Sequence, residues 1–337
     1  MAKVYRPYFP EQDFLLPPSL REWLPEGHLA YFVSDLIDQL DLSQIEQHYE
    51  REERGYPPYH PHMMTKVLVY GYCVGVFSSR RLEKRLSEDI AFRVLAAGNE
   101  PDFRTISEFR RIHLKALEGL FEQKQKDGDN KPGSSSGGKR RSPVQPHPKA
   151  QHNFTDPESR IMKGPDGFVQ AYNAQAAVEP VLQLIVGQAL TQQANDKQQL
   201  LPMIDAIKHQ AKQRIREVLA DSGYCSEENL RKAAKKKVDL YVATGKQKHN
   251  QPAPQSPRGR IPKSATLVER MKRKLMTRAG RAIYARRKII VEPVFGQIKQ
   301  AQGFRQFLLR GVEKVRSEWA LVCATHNVLK LHRACTA

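Results

Sequence analysis

The sequence "VLADSGYCSEENL", which runs from Val218 to Leu230, decides the fold class of this chain. It holds a short apolar run that ends on Asp221 and is followed by Ser-Gly and by a stretch with helical spacing. A strand that is buried on both faces reads as an apolar run and usually stops at its first charge. Open α/β sheets place their chemistry beyond the carboxyl ends of such strands. Asp221 is therefore either a catalytic candidate or simply the residue that ends the strand or caps the helix beginning near Ser226.

The segments around this stretch predict alternating strands and helices. Before it, a turn near Glu179-Pro180 joins two strand-like segments into an antiparallel pair, "GFVQAYNAQAAVE" and "LQLIVGQALT". A helix then follows, with Asn195 or Asp196 as its N-cap. After it, "VDLYVATG" predicts another strand and "YARRKIIVEPVFGQIK" a basic helix. These elements predict an α/β fold with a mixed sheet.

Composition divides the chain into three parts. Residues 1–123 have helical apolar spacing and basic helix ends, which suit either a small DNA-binding helical domain or an ordinary helical bundle. Residues 124–150 are dominated by Lys, Gly, Ser and Pro and predict a disordered linker. Residues 151–337 form the predicted α/β domain, whose C-terminal part is helical and basic.

Charge is distributed very unevenly along the chain. The net charge is +19, but the segment from Arg231 to the end holds 26 basic and 5 acidic residues, a net charge of +21. The first 230 residues therefore carry −2. Such asymmetry predicts a polyanionic partner, most simply a nucleic acid.

Other features indicate a cytoplasmic protein that does not enter a membrane. No run approaches the roughly 18 apolar residues of a membrane span, and the first residues hold no apolar signal-peptide stretch. The four cysteines are far apart and form no CxxC pair. This spacing argues against a zinc ribbon or a disulfide framework and suits a reducing compartment.

A second candidate carboxylate, Glu292, lies in an apolar part of the basic helix. Tyr284, Lys288, Glu292 and Lys299 are spaced by four, four and seven residues, which places them on one face of a regular helix. Such a glutamate can be part of a structural ion pair, or it can bind magnesium in a site that handles phosphate. A strand-end aspartate and a helical glutamate in a basic chain are typical of two-metal phosphodiester chemistry.

Long stretches of the chain, taken in order, carry the most specific signal. They include "LREWLPEGHLAYFVSDL", "PPYHPHMMTKVLVYGYCVGVFSSRRLEKRLSEDIAFRVLA", "PDFRTISEFRRIHL", "NFTDPESRIMKGPDGFVQAYNAQAAVE", "TQQANDKQQLLPMID", "ADSGYCSEENL", "VATGKQKH" and "YARRKIIVEPVFGQIKQAQGFRQFLLRG". With them the sequence resembles the DDE transposases of bacterial insertion sequences. The resemblance is to the branch with an InsH-type helical N-terminal domain and an RNase H-like catalytic core.

The resemblance implies roles for the two carboxylates. Asp221 matches the family's second catalytic aspartate and Glu292 its glutamate, and together they would bind Mg²⁺ or Mn²⁺. The implied function is transposition: the enzyme cuts at the terminal inverted repeats with activated water and joins the freed 3′-hydroxyl to target DNA. DNA is therefore the implied partner, and a homodimer is the expected state on DNA.

A tyrosine, an arginine and a lysine accompany the catalytic glutamate in related transposases. Tyr284, Arg287 and Lys299 fit this pattern and are expected to contact DNA. The interval from Arg287 to Glu292 is one residue longer than in that pattern, so Lys288 competes with Arg287 for the role.

The family's first aspartate, which normally ends a strand before "NFTDPESR", has no counterpart here. Between Phe121 and His152 no apolar strand leads up to an aspartate, and Asp127 and Asp129 lie in a polar run. We expect a block with the first strand and the first aspartate to be missing, so that the sheet pairs differently or exposes an edge. Asp156 is the best substitute in the sequence.

Two other functional classes stay open at this stage. A deleted copy can act as a non-catalytic DNA-binding protein that competes with an intact transposase. A metal-dependent nuclease without strand transfer is the third possibility. Inverted repeats around the gene, or a full-length paralogue, would distinguish among them.

Overall fold

The computed structural model describes residues 19–49, 57–123, 153, 155–164, 167–211, 215–245 and 258–336. The predicted linker at 124–150 lies outside these described residues.

Helices form the described part of the first 123 residues, as predicted. They are α1 (Leu29–Asp38), α2 (Ser43–Tyr49), α3 (Pro61–Cys73), α4 (Ser79–Glu88), α5 (Ile90–Leu95) and α6 (Phe103–Gln123). Their apolar faces meet in one core, in which Leu68, Leu82 and Phe92 are fully buried. Burial of these faces, rather than intrinsic propensity, stabilises such short helices.

Strands and helices alternate in the rest of the chain. The strands are β1 (Arg160–Gly164), β2 (Gly167–Ala171), β3 (Asn173–Val178), β4 (Ile185–Thr191), β5 (Glu217–Ala220) and β6 (Asp239–Val242). The helices are α7 (Leu200–Ala211), α8 (Glu227–Lys235), α9 (Leu267–Met276), α10 (Arg278–Gly296) and α11 (Val312–Thr336). Among the residues described, no helix has the length and apolar character needed to cross a membrane.

The predicted antiparallel pair is present as β3 and β4. The turn between them begins at Glu179, whose carboxylate accepts hydrogen bonds from the backbone N–H groups of Val181, Leu182 and Leu184. The predicted strand "GFVQAYNAQAAVE" is in fact two strands. Its first part, "GFVQA", forms β2 and pairs with β1 in a separate hairpin.

The stretch around Asp221 forms a parallel strand–helix–strand unit. β5 pairs with β6 in parallel, from Glu217 opposite Asp239 to Ala220 opposite Val242. Between them α8 is capped by Ser226, whose hydroxyl accepts from the N–H of Asn229 at 3.1 Å. Because Ser226 caps this helix, Asp221 is not needed for that purpose.

The strands form three two-stranded sheets in the described residues, and not the single mixed sheet that was expected. The β1–β2 hairpin is largely exposed and contributes to neither of the two apolar cores, and the other two sheets belong to different cores. Ile185 and Leu190 of β4 join the core of the N-terminal helices. Leu240 and Val242 of β6 pack in a second core with α7, α8 and α9.

The C-terminal helix α11 joins the two ends of the chain. Val315, Trp319 and Val322 are buried in the same core as the N-terminal helices. The thiol of Cys73 in α3 also donates to the carbonyl of Thr325, with sulfur and oxygen 3.8 Å apart. The boundaries predicted at residues 123 and 151 stay a prediction, but the segments on either side of them share this core.

A glycine turn after α3 holds the N-terminal helices against the segment that follows α10. The N–H of Val76 donates to the carbonyl of Gly71 at 2.7 Å, which is the pattern of a Schellman motif. Gly75 takes the left-handed position of this motif, with φ of +78°. A β-carbon there would lie 2.6 Å from the carbonyl oxygen of Gln302.

We expect Gly75→Ala to lower the free energy of unfolding by about 2–5 kcal/mol. The left-handed conformation of an L-residue costs about 1–2 kcal/mol, and overpacking against a backbone carbonyl costs about 1–3 kcal/mol. Urea unfolding followed by circular dichroism measures this difference. Gly119→Ala in α6 is the matched control, because no atom lies within 4 Å of the new β-carbon and alanine favours a helix. Equal stability of the two variants would show that the contact with Gln302 is unimportant.

Candidate active site

A cavity of about 1160 Å³ lies between β3 and β5. All residues of both strands line it, and α7 and α10 supply further walls. Asp221 and Glu292, the two candidate catalytic residues, both lie on its lining. The fold therefore brings together two carboxylates that are far apart in sequence.

Asp221 follows directly after the last residue of β5. Its backbone is extended, with φ of −79° and ψ of −179°, and its Oδ1 accepts from the N–H of Gly223 at 2.9 Å. This bond caps a single 3₁₀ turn at Ser222–Tyr224. The residue thus has a local structural role, and its carboxylate also lines the cavity.

Glu292 lies near the end of α10, next to a proline. Pro293 has no N–H to donate to the carbonyl of Ile289, and the side chain of Gln183 donates to that carbonyl instead, at 2.9 Å. The Glu292 carboxylate is 58 % exposed and lies 3.5 Å from the guanidinium of Arg287. Because the carboxylate is so exposed, this ion pair contributes little to the stability of the fold. Its relevance is that both residues line the cavity.

Arg287, and not Lys288, lies at the cavity. Arg287 is half-buried among its neighbours and lines the cavity, whereas Lys288 is exposed and does not. The Cζ of Arg287 lies 6.0 Å from the ring centre of Tyr284. Burial raises the pKa of the Tyr284 hydroxyl, with Arg287 opposing this shift and the Asp221 charge adding to it. The roles of these residues in DNA binding stay predictions.

Lys299 lies beyond the regular part of the helix. A π-helical turn covers Gln297–Ala301, directly after α10. The interval from Glu292 to Lys299 therefore runs partly through this turn, and the shared face of the two residues stays a prediction. The ammonium of Lys299 lies 5.8 Å from the ring centre of Phe295.

Sequence reasoning missed Asp196 as a residue of this cavity. It was expected to cap α7, but α7 begins at Leu200. The Oδ1 of Asp196 instead accepts from the side-chain amides of Asn173 at 2.6 Å and Gln175 at 2.7 Å. All three residues line the cavity. The two amides at alternate positions of "YNAQAAVE" were the available signal, since a half-buried strand otherwise seldom places amides on one face.

Asp156, the sequence's best substitute for the missing aspartate, lies elsewhere. It is buried, and both of its carboxylate oxygens lie 2.8 Å from the hydroxyl of Tyr172, which donates to them. Asp156 does not line the cavity between β3 and β5. The structure therefore gives Asp156 a structural partner and no contact with the candidate site.

The side chains around the cavity suit a hard divalent cation. In the described part of the chain, no group of three or more His, Cys, Asp or Glu side chains is arranged to hold a metal ion. The donors that line the cavity are carboxylate and amide oxygens, which are the ligands that Mg²⁺ and Mn²⁺ prefer. Arg216, Arg286 and Arg287 line the same cavity and supply cations that suit phosphate oxygens.

Two family models match the chain. The model of a transposase domain (DUF772) matches residues 18–111, and that of the transposase DDE domain matches residues 140–328. No curated protein and no solved structure matches it. The DDE match covers more than half of the chain and includes Asp221 and Glu292. With both matches in this order, the chain belongs to the DDE transposases of insertion sequences.

Proposed function

We propose that this chain binds the ends of an insertion element and that Asp221 and Glu292 are carboxylates of its catalytic site. The observation that carries the proposal is that both line one cavity, together with Arg286 and Arg287. One residue lies at the carboxyl end of a parallel strand, where α/β folds place their chemistry, and the other on the helix opposite.

The residues of the cavity have different roles in the proposed phosphodiester chemistry. Bound Mg²⁺ or Mn²⁺ would supply activation of water and charge stabilisation at the oxygens of the displacement. Asp221 and Glu292 are the carboxylates that would hold such ions. Arg287, which is ion-paired with Glu292, orients that carboxylate and faces phosphate oxygens. Tyr284, Lys288 and Lys299 follow the DNA backbone along the same helical segment.

We also infer that this copy binds DNA ends without cutting or joining them. The sequence between Phe121 and His152 holds no apolar strand that leads to an aspartate. The separation of β3 from β5 supports the same inference, since each pairs with one neighbour and both line the cavity.

We expect no strand cleavage of a labelled element end by the purified chain, in Mg²⁺ or in Mn²⁺, above the level of Asp221→Ala. Two-metal displacement needs both ions held in position, and a misplacement of about 1 Å can cost about a hundredfold in rate. Raised metal concentration should restore little activity, because geometry as well as occupancy is lost. Cleavage that disappears in Asp221→Ala would falsify the inference and show that another carboxylate completes the site.

The non-catalytic role can be tested separately, by competition for DNA. A chain that binds ends without cutting should compete with an intact relative for the same terminal repeat in a mixed binding assay. Binding should survive in Asp221→Ala, because it depends on the cations of the C-terminal third. Failure of the chain to bind terminal repeats at all would contradict both forms of the proposal.

A further inference from the structure

Two carboxylates converge on the backbone of Gly223. A β-carbon at Gly223 would lie 2.7 Å from Oδ2 of Asp196 and 3.0 Å from Oδ1 of Asp221. The two oxygens are therefore at most about 6 Å apart, since both lie close to the same point. Any residue larger than glycine would push a methyl group against both carboxylates.

A buried amide oxygen accompanies this pair. Gln175 of β3 is only 4 % exposed, and its Nε2 donates to Oδ1 of Asp196. Its Oε1 has no hydrogen-bond partner among the described residues. A buried acceptor without a partner is unfavourable unless a donor or a cation satisfies it, and this one belongs to a side chain bonded to the Asp196 carboxylate.

The carboxylates of Asp196 and Asp221 both act on the hydroxyl of Tyr224. Burial raises the pKa of this hydroxyl, and the charges of the two carboxylates add to the shift. Glu292 has its own cationic partner in Arg287.

We propose that Asp196, Asp221 and the Oε1 of Gln175 form a site for one hard divalent cation, Mg²⁺ or Mn²⁺, on the β3 side of Asp221. The ligand set is three oxygens with two negative charges, which suits a cation that keeps several of its waters. The inference rests on the proposed function only in that both assign Asp221 to a metal. It adds Asp196 and Gln175, which the DDE pattern does not include.

The test measures Mn²⁺ binding by the full chain without DNA, by isothermal titration and by the loss of the free-ion electron paramagnetic resonance signal. We expect Asp196→Asn and Asp221→Asn each to weaken binding about tenfold or more, since even partners outside the ligand set change metal affinity by about 10–100-fold. Asparagine at 196 keeps an oxygen that accepts from Asn173 and Gln175, so the fold is retained. Gly223→Ala should weaken binding without removing a ligand.

One variant serves as the control for charge. Asp205→Asn removes one negative charge, and Asp205 lies on α7 in an ion pair with Lys236. It should change the Mn²⁺ affinity by less than about threefold, because Asp205 does not line the cavity. Thermal unfolding of each variant confirms that the fold is intact before affinities are compared.

The outcomes separate the new site from the proposed function. Weaker Mn²⁺ binding in Asp221→Asn but not in Asp196→Asn overturns the role of Asp196 and leaves Asp221 as a catalytic carboxylate. An effect of Asp205→Asn as large as that of Asp196→Asn overturns the assignment of the ligands, because the loss would then reflect charge alone. Absence of millimolar Mn²⁺ binding by the unaltered chain overturns the site itself. Binding of element ends, followed separately by fluorescence anisotropy, reports on the proposed function alone.

Discussion

Replacement of four exposed cations along α10 and the turn after it should strongly reduce the salt dependence of DNA binding. The cations are Arg278, Arg286, Lys288 and Lys299, each replaced by glutamine. Each phosphate neutralised on duplex DNA contributes about −0.9 to the slope of log K against log salt, so four contacts contribute about −3.6. At physiological salt the affinity should fall by roughly a hundred- to a thousandfold.

Fluorescence anisotropy of a labelled element end, titrated from about 50 to 200 mM salt, measures both quantities. A charge-matched control removes four exposed cations from α4 instead: Arg80, Arg81, Lys84 and Arg85. We expect this variant to keep most of the slope, because the excess positive charge of the chain lies beyond Arg231. The reverse result would show that the N-terminal helices carry the binding.

Point substitutions are preferable here to a truncated chain. A chain ending near Leu230 would lose the basic segment but also α11, whose Trp319 and Val322 lie in the core of the N-terminal helices. Loss of binding by such a fragment would therefore report on unfolding as much as on charge.

The second large effect is expected at Trp319, whose replacement by alanine should lower the free energy of unfolding by about 3–5 kcal/mol. The side chain is 3 % exposed. It stacks on Phe295 with ring centres 6.2 Å apart and meets the ring of Phe307 edge-on at 6.3 Å. Its Nε1 donates to the carbonyl of Gln175 at 3.0 Å, so the change also leaves a buried acceptor without its partner.

Guanidinium unfolding monitored by circular dichroism gives this value. The other tryptophan of the chain, Trp23, provides the control, since it is half-buried beside the guanidinium of Arg93 at 5.5 Å. Trp23→Ala should cost less than about 2 kcal/mol, because a cation–π contact at a partly exposed site contributes about 0.5–1 kcal/mol. Similar losses in the two variants would contradict the view that Trp319 joins α11 to β3 and α10.

Local signals explain the parts of the fold that the sequence predicted correctly. β5 and α8 were predictable because an apolar run, a charge and a capping serine follow one another within a few residues. The β1–β2 hairpin was missed because both of its strands are largely exposed, with Phe168 78 % exposed, so no burial pattern marks them. Strands and hairpins are recognised in a sequence by such a pattern of alternating apolar and polar residues.

The candidate site was predictable only in part for a similar reason. Asp221 and Glu292 each follow from a local motif and from the resemblance to transposases. Asp196 and Gln175 have no such motif, and their contact joins residues that are 21 positions apart. The π-turn between Glu292 and Lys299 is likewise not detectable by a spacing argument that assumes 3.6 residues per turn.

The sequence by itself determined the identities of most helices and strands, the excess of positive charge after Arg231 and the membership of the transposase family. These properties depend on neighbouring residues or on composition, which are fixed before the chain folds. The tertiary structure alone decided that β3 and β5 stay in separate sheets and that Asp196 approaches Asp221. Strand pairing and the approach of distant side chains depend on which apolar faces pack together, and two separate cores place these strands on opposite sides of one cavity.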